Sequence, residues 1–552
     1  MSRAANAAIH FHPDGYLTSG PKLMGRQAAG SGFLRGFFRY GGVEALYCHA
    51  LAEADARSFA ALAAAEGVSG PVHWIAPGQH AGLATPGCLY LPGPGLGACA
   101  FERLRAGERA WSLCGVTHTT ASHTAMDAIA GLLTAPVRSW DALVCTSRAV
   151  RDTVRQLLEA QAEYLRWRLG AARFELPQLP LIPLGVHCAE YRIDEAARAE
   201  ARTKLGVAAD DLVVLFVGRL SFHAKAHPLP MYLALERAAE GRRVHMVQAG
   251  WFGNAAIEAA FRDAGRLLAP SVNLIFLDGR DAAQKAIGWA SADVFCSLAD
   301  NVQETFGLTP IEAMAAGLPV VAADWNGYRD TVRDGIDGFL VPTLMPPAPL
   351  GADLAARHEL GVDSYDMYCG HTGQLVAVDT AAAEAAFRRL FADAGLRRRM
   401  GEAGRQRAEA LYDWRTVIAA YQTLWADLAE RRRCTADFSD RAAPKANPAR
   451  PDPFAAFASY PTATLADYHV ARLAPDAGEA TLVERHALAM VAFVQAVFPP
   501  DEDVRAVIGL LAEGPRRIDE LLAQLPPERQ AGVARGLVWL NKLDVIRLSA
   551  AE

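Results

Sequence analysis

The stretch Glu304-Thr305-Phe306-Gly307-Leu308-Thr309-Pro310-Ile311-Glu312 sets two carboxylates eight positions apart around a glycine turn, and Ala315-Ala316-Gly317-Leu318-Pro319-Val320-Val321 follows it. Thr309 and Pro310 suit a helix start, which leaves Glu304 on the preceding loop and Glu312 about one turn inside the helix. Both acids then face one cleft. A carboxylate accepts two hydrogen bonds at once and so matches vicinal hydroxyls, while the free N–H groups of a helix start match a phosphate. Such a segment has the groups to hold a sugar, a diphosphate and a ribose together.

The flanking residues give this segment its fold. Asp293-Val294-Phe295-Cys296-Ser297 reads as a buried strand entering the loop, and Pro319-Val320-Val321-Ala322-Ala323 as a strand leaving the helix. Behind this strand, loop, helix, strand unit come Trp325-Asn326-Gly327-Tyr328-Arg329-Asp330 and Asp334-Gly335-Ile336-Asp337-Gly338-Phe339-Leu340-Val341-Pro342. The run closely resembles the donor-binding half of family 4 glycosyltransferases.

About eighty residues upstream, Leu212-Val213-Val214-Leu215-Phe216-Val217-Gly218-Arg219-Leu220 is an apolar strand ending in glycine and arginine, with Lys225 beyond it. It is similar to the family block whose Arg and Lys lie on the donor diphosphate. The charge argument agrees, because a cation about 4 Å from a phosphate charge at an effective dielectric near 20 gains roughly 4 kcal/mol before desolvation. The same charges stabilise a departing diphosphate. The commoner form of the motif has one residue fewer between Arg and Lys and a Gly after the Lys, where this chain has Ala226-His227.

The first half carries its own α/β signature. Ala7-Ala8-Ile9-His10-Phe11 fits a first strand, and Gly25-Arg26-Gln27-Ala28-Ala29-Gly30-Ser31-Gly32-Phe33-Leu34-Arg35 a loop before a helix. Taken alone, Gly-x-Gly is as well explained by a plain strand-to-helix turn. The resemblance implies a glycine loop over the donor diphosphate, with Gly30 and Gly32 as its donor-binding residues. Trp111-Ser112-Leu113-Cys114-Gly115-Val116-Thr117-His118-Thr119-Thr120 resembles the family segment whose histidine lies beside the reacting carbon, which makes His118 the candidate and nearby His123 its rival. A lone histidine at a strand end is also explained by packing. Trp140-Asp141-Ala142-Leu143-Val144-Cys145-Thr146-Ser147 reads as a further buried strand with a capping serine, and Leu181-Ile182-Pro183-Leu184-Gly185-Val186-His187 as the connection between halves.

The resemblance implies a GT-B fold of class α/β, with two Rossmann-like domains facing across a cleft. Residues 1–185 form the acceptor-side domain and 205–432 the donor-binding domain, with an irregular surface insertion at about 343–375. A last helix, from Trp414 to Arg431, crosses back onto the first domain. Residues 441–455 are a proline-rich linker, and 456–552 a small, mainly helical module. Within it, helices over 503–512, 516–524 and 528–543 and a strand over 545–548 resemble a winged helix. From 503 to 552 seven basic residues meet seven acidic ones, which disfavours nucleic acid and favours a protein contact or a homo-oligomer. Asp501-Glu502-Asp503 has the spacing of an acidic metal pair, but stands after two prolines where acids complement a helix dipole.

Composition bounds the rest. A chain of 552 residues, 51% hydrophobic, exceeds one core, and a net charge of −6 argues against a bulk polyanion partner. Nine cysteines without a CxxC pair fit a reducing cytosol and no zinc site. The chain lacks an apolar run of spanning length, and its N-terminus lacks the basic and apolar regions of a signal peptide. The expected place is the cytoplasm, including peripheral attachment at the inner membrane face.

The resemblance further implies retaining transfer from a nucleotide-sugar donor to a glycan, glycolipid or protein acceptor, with no cofactor and no bound metal. Glu312 would hold the ribose and Glu304 the sugar hydroxyls. The backbone at Phe306, Gly307 and Leu308, with Thr309, would hold phosphate or sugar oxygens, and Gly218, Arg219 and Lys225 would lie at the diphosphate. The rival reading is a catalytically silent sugar-nucleotide sensor acting through the winged-helix-like module.

Overall fold

The computed structural model describes residues 4–18, 25–435, 445–493 and 497–550. The chain divides into one unit up to Asn447 and a second from Pro448. The first unit holds two sheets of six parallel strands each. One contains β1 (Ala8–His10), β2 (Leu46–His49), β3 (Val72–Ile75), β4 (Cys88–Leu91), β5 (Ser112–Val116) and β6 (Ala142–Val144), in the order β3-β2-β1-β4-β5-β6. The other contains β7 (Leu212–Val217), β8 (Val244–Gly250), β9 (Val272–Asp278), β10 (Val294–Ser297), β11 (Val320–Ala323) and β12 (Gly338–Val341), in the order β12-β11-β10-β7-β8-β9. The central strands are largely apolar because helices cover both faces, and β4, β5, β7 and β10 are buried at every position.

These are the two Rossmann-like domains of a GT-B fold. Strand order reverses between β1 and β4 in one sheet and between β7 and β10 in the other. Ligands of open α/β sheets bind outside the carboxyl ends of the strands at such a reversal. The helix Trp414–Cys434 does cross back: Trp414, Tyr421 and Trp425 share one core with Phe33, Phe37 and Tyr90 of the first domain.

The insertion is not irregular. β13 (Thr343–Leu344) and β14 (Ala377–Val378) pair antiparallel and close it at the base. Between them lie the helices Ala352–Glu359 and Tyr365–Gln374. Proline and glycine mark its edges, while its interior is organised by Asp363, which accepts from Arg357 at 2.8 and 2.9 Å and lies 3.0 Å from His371 Nδ1. Ser364 caps the second helix by accepting from the Met367 N–H.

In the second unit the helices Asp501–Ala512, Ile518–Leu522 and Pro527–Lys542 pack with β15 (Val470–Leu473), β16 (Arg516–Arg517) and β17 (Ile546–Ser549). The sheet is antiparallel in the order β16-β15-β17. The three helices fall close to where the sequence places them, except that Arg516–Arg517 is a strand and the second helix begins at Ile518. The strand paired with β17 is β15, which precedes the helices, where a wing would supply a hairpin partner after them. Of the expected linker, 441–444 lie outside the described residues, and Pro453–Ala456 is a short helix. Asp501, Glu502 and Asp503 form a helix first turn, with Glu502 and Asp503 both paired to Arg529.

Candidate functional site

The site is built at the reversal between β7 and β10. Beyond β7 the chain turns at Gly218, whose φ of +149° is costly for other residues. Arg219 follows, and its Nη2 donates to Ala224 O at 2.9 Å and to Gln303 Oε1. The loop then brings Lys225 onto Glu304 Oε2 as an ion pair. The extra residue between Arg219 and Lys225 is taken up in a turn held by Asn301, whose Nδ2 donates to His223 O at 2.9 Å.

Glu304 is the most tightly held group of the site. Burial alone would raise its pKa, but the Lys225 ammonium and the backbone N–H groups of Thr305 and Phe306 outweigh it and hold the carboxyl below its usual range. The Tyr328 hydroxyl lies 3.5 Å from Oε2 and 2.9 Å from Ser297 Oγ. Burial, and then the Glu304 charge, push that phenol well above its ordinary value. Asn326 Nδ2 donates to the Glu304 carbonyl.

Gly307 caps the helix Leu308–Ala315 with φ of +89°, and a Cβ there would come within 2.0 Å of the Tyr328 ring. Phe306 is buried, and its ring lies 6.2 Å from that of Tyr412. Glu312, inside the helix, carries its charge near Tyr191, whose phenol is pushed well up first by burial and then by that carboxylate.

The first domain closes the other side. Thr305 Oγ1 donates to the His118 carbonyl at 3.2 Å, and Ser147 Oγ donates to the Thr305 carbonyl at 2.8 Å. Arg148 reaches Asp330 through its backbone N–H at 2.7 Å and its Nε at 2.6 Å. Enclosure and then the nearby Arg26 charge lower the His118 pKa to about 4, so this imidazole is neutral at pH 7. His123 opens the helix His123–Ala130, and its ring stacks on His358 of the insertion at 3.7 Å.

The expected loop at 25–35 is instead the helix Gly25–Tyr40. Gly30 and Gly32 therefore lie inside a helix and not in a phosphate loop. A Cβ on Gly30 would come within 2.0 Å of the Gly15 carbonyl, and one on Gly32 within 2.9 Å of the Trp414 indole nitrogen. Their side-chain-free faces serve close packing. The end of this helix that reaches the site is its start, where Arg26 acts on His118.

Sequence reasoning missed several residues here. Gln303 is an amide beside a recognised acid. Asp300, 4% exposed, ends the buried run after β10, and its carboxylate accepts from the His227 N–H at 3.3 Å. Burial raises its pKa to about 7. An acid terminating an apolar strand was its one signal. Tyr365 comes from the insertion, and nothing in its neighbourhood of sequence points to the site. Among the described residues no group of three or more His, Cys, Asp or Glu is arranged to hold a metal ion.

Residues 197–346 match the family model described as glycosyl transferases group 1. The chain is 34% identical over 221 residues to a D-inositol 3-phosphate glycosyltransferase of Geodermatophilus obscurus, covering 37% of this chain and 47% of that protein. It is 35% identical over 190 residues to a phosphatidyl-myo-inositol mannosyltransferase of Mycobacterium tuberculosis, covering 34% and 46%. The chain thus spans about half the length of these relatives. Among solved structures it is similar to Anabaena HepE in complex with UDP and glucose, with a TM-score of 0.48, 16% identity, and coverage of 76% of this chain and 100% of that one. The segment that matches the family model contains Arg219, Lys225, Glu304 and Glu312, the cations and carboxylates singled out in the sequence.

Proposed function

We propose that this protein is a retaining glycosyltransferase that moves a sugar from a nucleoside diphosphate donor to a glycan, glycolipid or protein acceptor. The observation that carries this reading is the gathering of Arg219, Lys225 and Glu304 beyond the carboxyl ends of β7 and β10, with His118 of the other domain bonded to the same loop. Arg219 and Lys225 supply the positive charge for the diphosphate, and no metal is required for it. A bound diphosphate competes with Glu304 for the Lys225 ammonium and releases the carboxylate to accept from sugar hydroxyls. Glu312, near Tyr191, accepts from the ribose.

The chemistry asks chiefly for orientation. His118 stays neutral down to about pH 4, so it serves as a hydrogen-bonding group beside the anomeric centre and not as a proton carrier at pH 7. The acceptor proton passes to the departing phosphate oxygen on the same face of the sugar, which preserves the anomeric configuration. The relatives named for inositol-based acceptors support testing polyol and glycolipid acceptors first.

We place the reaction in the cytoplasm, including the inner membrane face. Support comes from nine unpaired cysteines, eight of them buried, and from the finding that among the described residues no helix is long and apolar enough to cross a membrane. The second unit, with its own core, favours a contact with protein or with a second copy. That separate unit also favours the rival reading, a sugar-nucleotide sensor without turnover.

One experiment separates the two. UDP-, GDP- and ADP-sugars are screened by thermal shift on the wild type and on Glu312→Ala, and nucleotide release is measured for each hit. A shift abolished in the variant, with release in the wild type, supports the transferase. A shift without release under any acceptor supports the sensor, and no shift with any donor sinks both.

A further inference from the structure

The insertion between β12 and β14 reaches into the site from outside both Rossmann-like cores. The Tyr365 hydroxyl accepts from Gln303 Nε2 at 3.3 Å and lies 3.3 Å from Thr119 Oγ1. Gln303 Oε1 in turn accepts from Arg219. The direction of this chain is fixed by chemistry. Arginine only donates, so the Gln303 oxygen must face Arg219 and its NH₂ must face Tyr365. The phenol then accepts from Gln303 and has its own proton left for Thr119. Arg219, Gln303, Tyr365 and Thr119 thus form one donor-to-acceptor series from the second domain to the loop after β5.

The insertion is anchored on both sides of this series. Asn301 Nδ2 donates to Cys369 O at 3.2 Å, and a Cβ on Gly370 would lie 3.0 Å from His223 Cβ. On the other domain, His358 stacks between His123, at 3.7 Å, and Tyr368, at 4.5 Å. The helix Tyr365–Gln374 therefore holds the phenol in place.

We propose that Tyr365 is a positioning residue of the donor site, fixing the Gln303 amide and through it the guanidinium of Arg219 against the loop that carries His118. The inference rests on the reading of this site as a sugar-nucleotide site. Without the phenol the Gln303 amide loses its acceptor and can rotate, and Arg219 loses the fixed oxygen that orients it as charge develops on the diphosphate.

The test uses the full chain with whichever nucleotide sugar the wild type turns over, comparing Tyr365→Phe, Gln303→Ala and the double variant. Tyr365→Phe keeps the ring and so the packing. We expect its kcat for nucleotide release to fall about tenfold with donor KM within about twofold of wild type, the pattern of a lost transition-state interaction. Gln303→Ala should give a similar loss, and the double variant no further one. Tyr368→Phe, which keeps the stack on His358, serves as the control with unchanged rate. A Tyr365→Phe rate equal to wild type overturns the proposal, as does a double variant whose losses multiply. Loss of activity that merely tracks a lowered melting temperature, with kcat per folded molecule unchanged, also overturns it. A wild type that neither binds nor turns over any donor overturns the site reading and this proposal together.

Discussion

Lys225 and Glu304 form an ion pair beyond the carboxyl ends of β7 and β10, with the glutamate side chain 9% exposed and the lysine 24%. Such a pair is costly to break from one side, since the remaining charge keeps its desolvation and loses its partner. Lys225→Met should therefore destabilise the chain by about 2 kcal/mol at pH 7, less than a fully buried pair because the ammonium is partly wet. The sign with pH follows from the depressed Glu304 pKa. The pairing contributes above the ordinary carboxylate pKa and is lost as pH falls through the folded-state value. Urea unfolding of both proteins from pH 7 down to about pH 3 should show the gap narrowing chiefly below about pH 4.5, the ordinary value from which the Glu304 pKa is depressed. A gap of constant size would assign the effect to packing of the lysine stem.

Gly307→Ala places a methyl group within 2.0 Å of a Tyr328 ring carbon at a residue with φ of +89°. Backbone strain and overpacking together should cost about 2–4 kcal/mol. Because Tyr328 also lies against Glu304, its displacement should weaken donor binding as well. Thermal melting with and without the donor checks this, and a variant as stable as wild type would show that the loop relaxes freely.

Asp300 gives the clearest pH prediction. Its folded pKa is about 7 against an ordinary 3.8. Between those values the native state keeps a proton that the unfolded state has lost, so this group makes stability fall as pH rises through the interval. Above pH 7 the full penalty, on the order of a few kcal/mol, is present. Asp300→Asn removes it while an amide oxygen can still accept from the His227 N–H. The variant should melt close to wild type near pH 4 and increasingly above it toward pH 8. A difference that does not change with pH would mean that Asp300 ionises normally.

What the sequence made legible here was local. The β10 run, the glycine at 307 and the helix-opening Thr309-Pro310 agree with each other within twenty residues, and the structure follows them to within one or two positions. Arg219 was legible for the same reason, at the end of an apolar strand. The glycines at 30 and 32 misled because their cause lies far away in sequence, in the Gly15 carbonyl and the Trp414 ring. A glycine excess looks alike in a phosphate loop and in a tightly packed helix. Tyr365 and Gln303 meet only through the tertiary path of the insertion, so no spacing rule could pair them. The last strand was legible at 545–548, but its partner β15 comes from before the helices, so no local spacing could name it.

Trp414 allows the corrected role of the glycines to be tested directly. Its indole lies against the backbone of two separate segments: a Cβ would come within 2.9 Å of it at Gly32 and at Gly36, and within 2.6 Å at Gly185. Trp414 is 2% exposed, so it cannot swing into solvent without opening the core it shares with Phe33 and Tyr421. Alanine in mid-helix is intrinsically favoured over glycine by about 1 kcal/mol, which sets the sign a free site would show. Gly32→Ala should instead destabilise by about 1–3 kcal/mol. Trp414→Phe alone should also destabilise, by leaving a cavity. The two together should cost less than their sum, with a coupling of about 1 kcal/mol or more, because the smaller ring makes room for the methyl group. Donor affinity per folded molecule should stay at the wild-type level throughout. If Gly32→Ala lost donor binding while keeping full stability, its place would be at the diphosphate after all, and the helix start at Gly25 would have to move to bring it there.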